Sequence, residues 1–135
     1  MREGHREFVE SWLRRRAGTA SAPLLAADAL AAVWDRARRS LSELALVALA
    51  RCALDAAARD FTVLADARLG PHGFELPEAP AAVLLPALGG LLIEFLSLVE
   101  ETSGAILAPA LEAELLRVGG GRRTPPQGIR PLRAE

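Results

Sequence analysis

Residues 81–99 read Ala-Ala-Val-Leu-Leu-Pro-Ala-Leu-Gly-Gly-Leu-Leu-Ile-Glu-Phe-Leu-Ser-Leu-Val, with Glu94 the single charge in the stretch. At 100° per residue, Gly90, Glu94, Ser97 and Glu101 fall on one narrow stripe, while leucines, Ile93, Phe95 and Val99 cover the remaining circumference. A helix apolar around most of its girth belongs at the centre of a bundle, and the other segments must cover it. Length alone would let this stretch cross a bilayer. Glu94 opposes that, because an acid near the centre of a span costs about 2.5–3.5 kcal/mol. The flanks carry Glu75, Glu78, Glu100 and Glu101 with no basic anchor. A membrane span is therefore disfavoured.

The expected fold class is all-α, a compact helical bundle of four to five helices. At 135 residues the chain can bury a core without metal or disulfide. Hydrophobic residues make up 51% of it but aromatics only 4%, because alanine supplies much of the apolar count and favours helix. All 16 basic residues are arginine, as a GC-rich coding sequence tends to produce. Without lysine there is no P-loop and no Schiff-base chemistry. A net charge of −1 gives no general field for nucleic acid. Cys52 has no second cysteine to pair with, and the amino-terminal residues lack the apolar core of a secretory signal, so the expected compartment is the cytoplasm.

Residues 2–16 form an amphipathic helix with His5, Phe8, Val9, Trp12 and Leu13 on one side. Glu3, Glu7, Glu10 and Arg14 lie on the other, and Glu10 and Arg14 are spaced for an ion pair. Such a terminal helix either docks on its own domain or serves as an arm for a partner, and Phe8, Trp12 and Arg15 are its candidate contacts. The bundle domain is assigned to residues 23–118, opened by the helix-start signal Ser21-Ala22-Pro23. Ser40-Leu41-Ser42-Glu43 matches a capping box, so a new helix is expected there, although an unbroken apolar phase also allows one bent helix. Residues 41–69 read as the longest helix, enclosed over 44–50 and two-faced beyond. Arg51, Asp55, Arg59 and Asp66 form a solvated ladder, and Asp60 sits at the border of the apolar face.

Residues 70–80 form a long connection with three prolines, in which Phe74 and Leu76 plug the core. His72 and Glu75 would stand at the mouth of any pocket beneath it. The central helix starts either at Ala81, with Pro86 kinking it, or after Pro86. A last helix covers 109–118, stopped by Gly119-Gly120-Gly121. Residues 119–135, rich in Arg, Pro and Gly, are expected to be a flexible, disordered tail.

No catalytic constellation emerges. Neither His5 nor His72 has a Glu three positions before it, as a carboxylate-bridged di-iron site needs. One cysteine with two distant histidines makes no zinc site, and neither a phosphate loop nor Gly-x-Ser-x-Gly is present. No cofactor or metal is expected. Cys52 reads as a small buried hydrophobe. An acid within an apolar helix needs solvent or a partner. Glu94, aligned with Gly90, Ser97 and Glu101, thus marks either a solvent stripe or a groove for a partner helix. The leading expectation is a non-catalytic regulatory or scaffold module acting by protein association, including as a homodimer. Two alternatives stand beside it. One is a nucleic-acid accessory using arginine-rich ends (Arg14, Arg15 and Arg16; Arg122, Arg123, Arg130 and Arg133). The other is a small-molecule sensor or enzyme with a pocket under the 70–80 loop.

Overall fold

The computed structural model describes residues 2–16, 21–71, 73–103 and 106–118. Among these, five α-helices form the bundle: α1 (Arg2–Arg16), α2 (Ala22–Arg38), α3 (Glu43–Ala58), α4 (Ala81–Ser103) and α5 (Leu107–Arg117). A 3-10 turn (Thr62–Asp66) and an antiparallel hairpin, β1 (Arg68–Gly70) and β2 (Gly73–Glu75), link α3 to α4. The domain is all-α apart from that short hairpin. His72 and the proposed tail, 119–135, lie outside the described residues.

The 81–99 stretch takes the central place its composition demands, since α4 touches all four other helices. Leu88, Leu91, Leu92, Phe95, Leu96 and Val99 are fully enclosed. Each such side chain contributes roughly 1.5–3 kcal/mol by leaving water. Among the described residues α4 is the one helix long and apolar enough to cross a membrane, yet 61% of that window is covered by the rest of the chain. Of its two expected starts the helix takes the earlier, with the Val83 and Leu84 N–H groups donating to the Pro80 carbonyl. Pro86 lies inside the helix on an exposed face, where the missing N–H leaves the Ala82 carbonyl without its helical donor.

Helix α1 docks on its own domain, running antiparallel to α4. Trp12 is completely buried, and its Nε1–H donates to the Leu115 carbonyl at 2.7 Å. Arg16 donates to the Val118 carbonyl (2.8 Å) and the Leu116 carbonyl (3.0 Å), satisfying groups that the end of α5 leaves open. Its surface pair is Arg6 with Glu10, one turn earlier than the expected Glu10 with Arg14.

Residues 23–69 form two helices, and the second is shorter than its sequence suggests. Ser21 caps α2 by accepting from the Leu24 N–H, as the Ser21-Ala22-Pro23 signal implies. The cap of α3 is Ser42, whose Oγ accepts from the Ala45 N–H. Ser40 does not form the expected box, because its N–H donates to the Ala37 carbonyl in the last turn of α2. Helix α3 stops at Ala58 instead of reaching residue 69. Phe61 leaves the helix in an extended conformation (φ −129°, ψ 96°), which seats its ring on Gly90 of α4. A tertiary contact thus overrides a run of good helix formers.

Helix α3 also lies at the periphery, packed mainly on α4. Only Leu46, Ala50, Ala53, Leu54 and Ala57 turn fully inward. Leu44 is 82% exposed and Cys52 is exposed, so the expected enclosure of residues 44–50 and of Cys52 is corrected: one face of α3 packs on α4, and the other is left to solvent. Arg51, Asp55 and Arg59 form no ion pairs with one another; Asp35 with Arg38 and Arg39, and Glu114 with Arg117, supply the helical pairs.

Phe74 plugs the core as expected. Its ring meets Trp34 edge-on at 5.8 Å and Phe95 at 5.7 Å, tying the hairpin to α2 and α4. Gly73 makes this close approach feasible: its φ is +113°, and a Cβ there would stand 2.9 Å from the Trp34 ring.

Candidate functional site

On the α4 surface, Gly89 and Gly90 remove two side chains in succession, and neighbouring elements close over the gap. Leu13 of α1 lies against Gly89, where a Cβ would approach its Cδ1 to 2.8 Å. The Phe61 ring rests on Gly90 from the other side. Between these two walls is a groove of about 250 Å³. Leu13, Ala57, Phe61, Pro86, Gly89, Gly90 and Ile93 form its apolar surface.

Charge is confined to the rim. Arg6 and Glu10 project from α1, Asp60 from the turn after α3, and Glu94 from α4. Glu10, Asp60 and Glu94 thus line the groove together with Arg6. The Arg6–Glu10 pair spans 3.9 Å with both side chains about half exposed, so it adds little to stability and leaves both heads accessible. An apolar trough with a charged edge can receive side chains without covalent chemistry.

Three residues singled out separately in the sequence, Asp60, Gly90 and Glu94, meet in this groove. The stripe does not continue as a surface. Ser97 is 5% exposed, its Oγ has no hydrogen-bond partner among the described residues, and Glu101 emerges into solvent beyond it. Phe8 is half-buried against the core. Trp12 lies wholly within the domain, so it holds α1 in place and presents no surface of its own. Arg15 is exposed, and its Nη1 donates to Ser11 Oγ.

Phe74 and Glu75 belong to a different concavity of about 280 Å³. Pro23, Ala26, Ala27 and Leu30 of α2 form one side of it, with Leu76, Pro77 and Glu78 above and Leu84 below. The Glu75 carboxylate folds back against Gly70.

One polar cluster has no counterpart in the sequence reading. His5, only 6% exposed, faces Glu112 Oε2 through Nδ1 at 2.9 Å and Glu100 Oε1 through Nε2 at 2.8 Å. Each ring nitrogen thus has a carboxylate oxygen within hydrogen-bonding distance, and which nitrogen donates depends on the tautomer. Hydrogen bonding to its carboxylate, with His5 among the partners, holds the Glu100 carboxyl below its ordinary range. The available signal was the placement of His5 among Val9 and Trp12 on a buried face, where a polar ring must find partners. Those partners lie 95 and 107 residues away, beyond any local pattern.

No group of three His, Cys, Asp or Glu side chains suited to a metal ion occurs among the described residues. Comparison with protein-family models, with curated proteins and with solved structures finds no match for this chain.

Proposed function

We propose that this chain is a non-catalytic association module whose contact surface is the groove between α1 and α4. The observation that carries this reading is the meeting of Asp60, Gly90 and Glu94, from two segments far apart in sequence, around a floor left open by two glycines. An apolar floor inside a polar rim is the anatomy of a protein-recognition patch. The module works in aqueous solution, since the bundle itself takes up much of the apolar surface of α4. The test is photo-crosslinking from a reactive side chain installed at position 60. A discrete protein adduct, of this chain or another, that disappears with Glu10→Arg supports the reading. Exclusively intramolecular products overturn it.

A second reading has its own observation, the apolar cleft under residues 74–78. Its volume falls just below the range of about 300–1,000 Å³ usual for small-molecule sites, which favours the groove. A nucleic-acid role draws less support, because the α5 carbonyl groups already engage Arg16.

A further inference from the structure

We propose that His5, Glu100 and Glu112 form a proton-operated latch on α1. Closed, the cluster holds one proton more than a neutral ring between two ionised carboxylates; losing that proton as the pH rises frees the first turns of the helix. The latch is independent of the association reading, and only its effect on partner binding rests on that reading.

The extra proton follows from the geometry. Nε2 lies 2.8 Å from Glu100 Oε1, and Nδ1 lies 2.9 Å from Glu112 Oε2. A neutral imidazole has one N–H, so in either tautomer the other nitrogen turns a lone pair toward a carboxylate oxygen. Two acceptors at that distance need a proton between them. Hydrogen bonding to its carboxylate, with His5 among the partners, favours the ionised form of Glu100. Glu100 therefore takes the N–H at Nε2, and the added proton belongs to the Nδ1–Glu112 contact, on the ring or on the carboxyl. Its titration is a property of the cluster.

Burial makes a mismatch costly. The His5 side chain is 8% exposed, and those of Glu100 and Glu112 are 30% and 24% exposed. Among the described residues the ionisable groups facing the ring are these two acids, one from α4 and one from α5. Glu3, Arg6 and Glu7 of α1 and Glu101 of α4 are exposed, and Glu114 of α5 pairs with Arg117. In an unfolded chain imidazole titrates near about 6.5 and glutamate near about 4.3. Above those values the closed latch holds a proton that the unfolded chain lacks, so stability falls as the pH rises. Trp12 and Arg16 secure the other end of α1. Release of His5 thus displaces first the turns that bring Arg6 and Glu10 to the groove.

The test is urea unfolding of the full chain between about pH 6 and 8.5, with wild type beside Glu112→Gln. The new amide can donate to Nδ1, so a neutral ring satisfies both contacts. In wild type the unfolding constant should rise about fivefold or more across the window, one proton allowing at most about tenfold per pH unit. Glu112→Gln should remove that rise and keep α1 docked, read from protection of the Val9 and Trp12 amides against hydrogen exchange. His72 and the α-amino group titrate in the same window in both chains, so the difference in slope belongs to the cluster. Equal slopes in the two chains would overturn the proposal. Should Glu112→Gln fail to fold, imidazole ¹⁵N and Glu112 carboxyl ¹³C shifts of the wild type decide. At neutral pH a proton on Nδ1 or on the Glu112 carboxyl supports the latch, and a neutral ring beside an ionised Glu112 sinks it. If the slopes differ as expected while the position-60 probe gives only intramolecular products, the latch stands and the association reading fails.

Discussion

The two concavities beside α4 are nearly equal in size, about 250 and 280 Å³, yet they are built in opposite ways. The α1–α4 groove exists because side chains are missing: Gly89 and Gly90 expose backbone, and Leu13 and Phe61 reach across to it. The α2–hairpin cleft exists because a side chain is present, the Phe74 ring held between Trp34 and Phe95. The first carries four charged groups at its edge, whereas the second has only Glu75 and Glu78 beside an apolar wall. On the proposed association role, rim substitutions can therefore alter the groove with the core untouched. At the cleft the lining ring is part of the core, so binding and stability are coupled.

The sharpest way to break this comparison is Trp12→Ala. Removing a fully buried indole should lower unfolding free energy by about 3–5 kcal/mol, read from urea midpoints. Because Trp12 fixes α1, groove resonances should shift while those of residues 74–78 hold; equal disturbance of both would show that the concavities are one unit. Next in size is Gly73→Ala, which places a side chain at φ +113° against the Trp34 ring. A loss of about 1–3 kcal/mol is expected, with altered near-ultraviolet dichroism and unchanged groove resonances.

Acid should act through the far end of α1. Glu100 has its value lowered from 4.5 in the folded chain, so its stabilisation is complete above that value. It is lost as the pH falls through the lowered one. Glu100→Gln should flatten this part of the acid dependence, measured as the change in urea midpoint across it, and leave the cleft unaffected. The smallest effect on stability belongs to Asp60→Arg. An exposed rim residue without an ion-pair partner among the described residues should change unfolding free energy by no more than about 0.5 kcal/mol.

These differences follow how far each feature is local in sequence. The place of α4 was legible because its apolar residues run around the whole helix, and the start of α2 because Ser21 and Pro23 act within one turn. Residues Asp60, Gly90 and Glu94 each stood out by type and position. Their meeting did not, since Phe61 leaves the helix only because Gly90 offers its ring a seat. The end of α3, the exposure of Cys52 and the hairpin depend on that same departure or on the peripheral place of α3, packed mainly on α4. Trp12 had the right side of its helix for a core residue and for a partner contact alike; the Leu115 carbonyl decides between them.

The hydrogen bonds from Trp12 and Arg16 join residues 103 and 102 positions apart. During synthesis, α1 leaves the ribosome before α5 and therefore has to wait for it before it can reach its final place. Until then α4 lacks one of its walls and the groove has only one side. The groove is thus a product of bundle closure: a nascent chain can form the hairpin cleft first, and the groove only once α5 has joined α1.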